Sequence, residues 1–140
     1  MIGIVIVTHS QLGDALIGAA EFIIGNRPAA MESVSIDLSQ NADELRTKIA
    51  QGIKKVEGQE GVLILTDMFG GTPSNLSYSF LEEGHIEVLS GVNLPILIQA
   101  ASLRDKKMKL DELAANLEVF GKKSISLASG ILKGNKRSEA

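Results

Sequence analysis

The chain contains no cysteine and no tryptophan, and only three prolines among its 140 residues. Without cysteine it has neither disulfides nor thiolate metal ligands, so sulfur redox chemistry is excluded and stability comes from ordinary packing. Aromatic side chains are also scarce: one tyrosine and four phenylalanines make a poor base-stacking platform. Positive charge is not in excess, and a net charge of −3 supplies no broad electropositive field for nucleic acid. The one basic cluster, Lys133 to Arg137, lies in a polar C-terminal stretch and reads as a solvated end. No nucleic-acid partner is expected. Long apolar runs are missing as well, since Glu21 interrupts the longest candidate, Ala15 to Ala20, far short of the ~18 to 20 residues of a membrane span. The first residues lack the basic region and cleavage site of a secretory signal, because a core-like run begins at Ile2. These absences point to a cytoplasmic protein.

What is present suits one globular core, with 44% hydrophobic and 22% charged residues. We expect a single domain over residues 1–130 and a polar tail over 131–140. Ile2 to Val7 and Val62 to Leu65 are short continuous apolar runs rich in β-branched residues, the pattern of strands covered on both faces. Val34, Ile36 and Leu38 alternate with serine and aspartate, and Ile125 and Leu127 alternate with serine, so both segments read as half-exposed strands nearer the edges. Ile86 to Leu89 is a further short strand. Between them, Leu12, Ala15, Leu16, Ala19, Ile23 and Ile24 share one helical stripe that stops at Gly25 and Pro28. Leu45, Ile49, Ile53 and Val56 form a second stripe, opened by Asn41 and Glu44 as a capping pair. Thr72-Pro73 predicts an N-cap and first residue of a third helix reaching about Phe80, and Asn93-Leu94-Pro95 starts a fourth in a similar way. Leu110, Leu113, Ala114 and Leu117 supply a last amphipathic helix. Strands alternating with helices imply an α/β, doubly wound, mainly parallel sheet with right-handed crossovers. Placing the first strand beside the third puts a topological switch point between them, with strands ~4.8 Å apart.

That arrangement brings two polar residues to one crevice. His9 follows the first apolar run, and Asp67 follows the third strand, leading into Phe69-Gly70-Gly71-Thr72-Pro73. A histidine that accepts a phosphoryl group needs one ring nitrogen free and the other held as N–H by an acceptor. Asp67 can be that acceptor. Backbone N–H groups at Gly70, Gly71 and Thr72, or at the helix behind Ser10, can receive phosphoryl oxygens, and Gly91 and Asn93 can line the same rim. Taken singly, a strand-end histidine is usually a polar loop residue and a strand-end aspartate a turn or helix cap. Helix capping, however, does not require a histidine on the matching strand. His85 precedes its strand at the opposite edge and reads as structural or solvated.

Competing sites fit poorly. A receiver domain needs an acidic pair after the first strand, where Thr8-His9-Ser10 stands. A flavodoxin-type or dinucleotide site needs a glycine-rich turn there, and only Gly13 is near. A P-loop is absent, and two histidines far apart in sequence do not suggest zinc. No metal is expected.

With these residues in view, the chain resembles the enzyme IIA component of the mannose-family sugar phosphotransferase system over nearly its whole length. The carriers are Ile2-Gly3-Ile4-Val5-Ile6-Val7-Thr8-His9, Leu65-Thr66-Asp67-Met68-Phe69-Gly70-Gly71-Thr72-Pro73-Ser74-Asn75 and Ser90-Gly91-Val92-Asn93-Leu94-Pro95. It departs at Ser10, where many relatives have glycine, and at Ser74, where an aromatic residue is frequent. The resemblance implies that His9 accepts phosphate from the phosphocarrier protein HPr and passes it to a IIB component. Asp67 would orient His9 through Nδ1 and leave Nε2 to be phosphorylated. It implies no cofactor and no metal, membrane contact only indirectly through IIC and IID partners, and a homodimer exchanging a C-terminal edge strand at about Lys123 to Ala128. Three other uses of the same crevice remain open to the sequence: a phosphate-donor subunit for a dihydroxyacetone kinase, a phosphorylation-dependent regulatory module without sugar transport, and a small-ligand-binding flavodoxin-like domain.

Overall fold

A computed structural model describes residues 1–133. Four strands, β1 (Gly3–His9), β2 (Met31–Ile36), β3 (Val62–Thr66) and β4 (Ile86–Ser90), form one sheet in the order β2-β1-β3-β4. Every pairing is parallel. Helices α1 (Leu12–Ile24), α2 (Ala42–Val56), α3 (Thr72–Tyr78), α4 (Leu94–Leu103), α5 (Leu110–Lys123) and α6 (Ala128–Leu132) complete the described chain. Of the expected tail, residues 131 and 132 belong to α6 and Lys133 caps it, while the part beyond residue 133 lies outside the described residues, as does most of the basic cluster from Lys133 to Arg137.

Two apolar layers follow from the period-two alternation of a strand. Ile4 and Ile6 of β1 and Leu63 and Leu65 of β3 face one way, where Ile17 of α1, Leu97 of α4 and Leu113 and Leu117 of α5 cover them. Val5, Val7, Val62 and Ile64 face the other way, against Leu45, Ile49 and Ile53 of α2 and Leu76 of α3. Both faces are covered, so β1 and β3 are apolar without interruption, and the Ile2 to Val7 run is fully buried. β2 and β4 form the edges, as their weaker patterns suggest.

The local signals act as the chemistry predicts at most ends. Asn41 accepts from the Glu44 N–H at 2.9 Å. Gly25 ends α1 in the left-handed region at φ 100°. Three details differ. The β2 strand stops at Ile36 because Asp37 turns the chain, its carboxylate accepting from the Ser39 N–H and its carbonyl from that of Gln40. Leu38 is therefore an exposed loop residue. Helix α3 is capped by Gly71 rather than Thr72, which is the first helical residue, and it closes at Tyr78 in a tighter turn, Phe80 N–H to Ser77 O at 3.0 Å. Among the described residues, positions 124–127 supply no strand to the sheet. Helix α5 continues to Lys123, where the Ser124 hydroxyl caps the Gly121 carbonyl at 2.7 Å, and α6 starts at Ala128. Alternation specifies which face a strand buries, but an extended segment becomes a strand only beside an edge that accepts it.

At the end of the sheet away from His9, the buried Arg104 guanidinium donates to the carbonyls of Ala29, Ala30 at 3.0 Å and Ile2 at 3.4 Å. It thereby fastens the end of α4 to the entries of β1 and β2, where Ala30 is held at φ 49°. Arg104→Ala is expected to lower the free energy of unfolding by about 1.5–3 kcal/mol, the range for hydrogen bonds to charged groups. A urea midpoint unchanged from wild type would contradict that role.

Candidate functional site

His9 is the last residue of β1, and its side chain points to the same face as Val5 and Val7, toward α3. In the β1–β3 register the last pair is Val7 with Thr66, so the chain after Thr66 delivers Asp67 beside His9. One carboxylate oxygen, Asp67 Oδ2, accepts from both the His9 backbone N–H at 2.9 Å and His9 Nδ1 at 2.8 Å. The other, Oδ1, accepts from the Met68 N–H at 3.0 Å. Burial alone would push this carboxyl up, but the hydrogen bonds and charge of His9 outweigh it and hold Asp67 below the usual aspartate range. An ionised carboxylate only accepts, which places the ring proton on Nδ1 and leaves the Nε2 lone pair free. A charge-assisted hydrogen bond of about 1.5–3 kcal/mol biases the tautomer roughly tenfold to a hundredfold.

The imidazole is partly open, its side chain 39% exposed against 10% for Asp67. Its free edge lies against Gly71, where an added Cβ would stand 2.9 Å from His9 Cε1 and 3.5 Å from Nε2. Any side chain at 71 would push on the ring; glycine is required there by close approach. Gly70 precedes it at φ 85° and makes the turn into α3. Ser10 takes φ 53°, a conformation uncommon for a non-glycine residue that costs on the order of 1 kcal/mol. Its N–H on the Ile36 carbonyl at 3.2 Å and its hydroxyl on Gln11 at 2.6 Å hold it.

The structure thus brings His9, Ser10, Asp67 and Gly71 together. Phe69 stands on the same loop, 80% exposed, beside a half-exposed Met68. Gly91 and Asn93 sit on the β4–α4 turn with their polar groups engaged within the fold. The Gly91 N–H reaches the Thr66 carbonyl at 3.0 Å, while Asn93 caps α4 through Ile96 N–H at 2.9 Å and donates to Ser124 at 3.1 Å.

Other residues of the site escape sequence reasoning. Thr8 is buried, and its hydroxyl accepts from the Gly13 N–H at 2.9 Å, tying the opening turn of α1 to the end of β1. His9 also opens onto a cleft of about 920 Å³ on its β2 side, lined by Ser10, Ser35, Asp37, Ser39 and Lys48 among others. Lys48 lies along it, its ammonium donating to the Ser35 carbonyl at 2.7 Å. The β1–β2 adjacency of a doubly wound sheet is the signal that could have found this cleft.

Residues 3–118 match the family model described as "PTS system fructose IIA component". The chain belongs to that family. It is 32% identical over 130 residues to the PTS system fructose-specific EIIA component of Bacillus subtilis, across 92% of this chain and 88% of that protein. It is 34% identical over 128 residues to the PTS system mannose-specific EIIAB component of Escherichia coli K12, across 89% of this chain but only 38% of that longer relative. The solved phosphotransferase system component EIIA from Streptococcus agalactiae has a TM-score of 0.81 at 26% identity, over 92% of this chain and 98% of that one. The mannose/sorbose specific IIA subunit from Enterococcus faecalis shares the fold at a TM-score of 0.77 and 24% identity, over 90% and 93% of the two chains. This IIA chain has, among the described residues, no helix long and apolar enough to cross a membrane.

The lowered Asp67 value makes a signed prediction. Between the unfolded aspartate value of about 3.9 and the lower folded value, the unfolded chain binds more protons. The stability contributed by Asp67 is therefore complete above the unfolded value and lost as pH falls through the folded one. Urea midpoints measured downward through this window should fall more steeply for wild type than for Asp67→Asn; parallel curves would refute the assignment.

Proposed function

We propose that this IIA chain is a phosphoryl carrier of a sugar phosphotransferase system, with His9 as the residue that receives and passes on the phosphate. The observation that carries the reading is the 2.8 Å contact between His9 Nδ1 and Asp67, which leaves Nε2 as the nucleophile at a partly open edge. Family membership supports the same role.

In the first half-reaction, Nε2 attacks the phosphorus of the phosphohistidine on HPr. The new P–Nε2 bond forms as the donor's P–N bond breaks, and the donor imidazole leaves with its electron pair. Positive charge develops on the His9 ring, and the adjacent carboxylate stabilises it without moving the Nδ1 proton away. The second half-reaction runs the same chemistry in reverse toward a IIB component. The phosphoryl oxygens would lie by the Gly70–Thr72 turn and the loop through Ser10, where helix-opening N–H groups carry partial positive charge. Phe69, exposed beside the ring, would meet the partner proteins, and Gly91 and Asn93 would form the farther rim. Neither half needs a nucleotide or a metal, because the phosphoryl group arrives already activated and positioning supplies the catalysis. The setting would be cytoplasmic, with membrane contact only through IIC and IID partners.

A homodimer is part of the proposal. Ile125 and Leu127 are each 74% exposed, and β4 forms an edge of the sheet. An exchanged segment at about Lys123 to Ala128 would bury these apolar side chains and cover that edge.

Incubation with phosphoenolpyruvate, enzyme I and HPr is expected to place an acid-labile phosphate on the chain, and His9→Ala is expected to take none. Labelling that survives this substitution would rule His9 out as the carrier. Sedimentation is expected to give twice the chain mass, with Leu127→Asp shifting the protein toward monomer; a monomeric wild type would end the exchange model.

A further inference from the structure

Four hydroxyl groups gather behind the Asp67 loop. Thr66 ends β3 and Ser90 ends β4, both on the sheet face that carries α3, while Ser74 and Tyr78 are one helical turn apart on α3. Ser74 is completely buried, as is Thr66. The Ser74 hydroxyl donates to the Met68 carbonyl. A carbonyl can only accept, so the single Ser74 proton is committed there and its oxygen is left to accept. Thr66 Oγ1 lies 2.6 Å from it and Ser90 Oγ 3.0 Å from it. The one Thr66 proton serves either Ser74 or Ser90, which lies 2.8 Å away, and the Tyr78 hydroxyl stands 3.3 Å from Ser90 at the outer end.

This cluster grips the residue that follows Asp67. Met68 is held at both of its backbone polar groups: its N–H donates to Asp67 Oδ1 at 3.0 Å and its C=O accepts from Ser74. Asp67 thus has one oxygen on Met68 and the other on His9, and the direction of its carboxylate depends on where Met68 is fixed. If packing were all that this seam required, apolar side chains would serve, as Leu76, Phe80 and Val88 do nearby. Hydroxyls linked by hydrogen bonds, two of them fully buried, instead restrict the geometry in a way that apolar packing does not.

We infer that Ser74 is a positioning residue of the phosphoryl-transfer site, acting through Met68 to aim the Asp67 carboxylate and so to select the Nδ1–H tautomer of His9. The inference rests on the carrier reading for its kinetic consequence, but its structural consequence stands apart. Removing the hydroxyl frees the Met68 carbonyl and lets the 67–71 loop shift, and misplacement of a catalytic group by about 1 Å can cost on the order of 100-fold.

The test is long-range proton–nitrogen NMR on protein labelled with ¹⁵N-histidine, together with the rate of phosphate uptake from phosphorylated HPr. Wild type is expected to show His9 as the Nδ1–H tautomer. Ser74→Ala is expected to add a population protonated on Nε2 and to slow uptake about 10-fold or more. Ser74→Cys, close in size but a weaker donor, is expected to fall between the two. Ser77→Ala is the control, because Ser77 is an equally buried serine on the same helix whose hydroxyl, among the described residues, bonds only the Pro73 carbonyl, at 2.7 Å. It should leave tautomer and rate unchanged. A folded Ser74→Ala or Ser74→Cys with the wild-type tautomer and rate would overturn the inference, as would a Ser77→Ala that reproduces the loss. Absence of phosphate uptake by wild type would instead overturn the carrier reading while leaving the tautomer comparison intact.

Discussion

The site depends on one carboxylate oxygen that receives two hydrogen bonds from the same residue. Asp67 Oδ2 accepts from the backbone and the ring of His9, at 2.9 and 2.8 Å, and so fixes where His9 is and which ring nitrogen is free. Only a parallel β1–β3 pair with this register allows it, because the two strands must end together and on the same edge of the sheet. The topological switch point is therefore a requirement of the chemistry as well as a feature of the fold.

The rest of the molecule is arranged to keep that contact rigid while leaving the ring accessible. Two apolar layers bury both faces of β1 and β3, and at the far end of the sheet Arg104 fastens the entries of β1 and β2. At the near end, hydroxyls take over from hydrocarbon: Thr8 ties α1 to β1, and the Thr66, Ser74 and Ser90 cluster ties α3 to β3 and β4. Hydrogen bonds have direction where apolar packing does not, so the change of chemistry along one seam matches a change of task from stability to aim. Gly71 completes the arrangement by omission, since its missing side chain is the space that the ring edge occupies.

Much of this is legible in the residues themselves. The run from Ile2 to Val7 announces a strand buried on both faces, and Asn41 with Glu44 announces a helix start, because periodicity and capping are local and repeat the same physics in any protein. His9 and Asp67 pair only once the strand order is placed, and two uninterrupted apolar runs flanked by weaker patterns mark β1 and β3 as the central neighbours. Thr72-Pro73 suggests a cap at Thr72, because a hydroxyl before proline is the commoner cap, whereas Gly71 takes that position and threonine is the first helical residue. The Ile125 and Leu127 alternation specifies a face but names no neighbour, and within one chain it yields no strand. Thr8, Lys48 and Ser74 carry no periodic signature: a single hydroxyl or ammonium becomes informative only once its three-dimensional partner is known.

In the proposed carrier role, placing the proton on Nδ1 commits the phosphate to the other ring nitrogen. This commitment is tested most directly by phosphorylating ¹⁵N-histidine-labelled protein and recording which His9 nitrogen couples to phosphorus. Coupling to Nε2 is expected, with Nδ1 still protonated beside Asp67; phosphate on Nδ1 would contradict the carrier geometry.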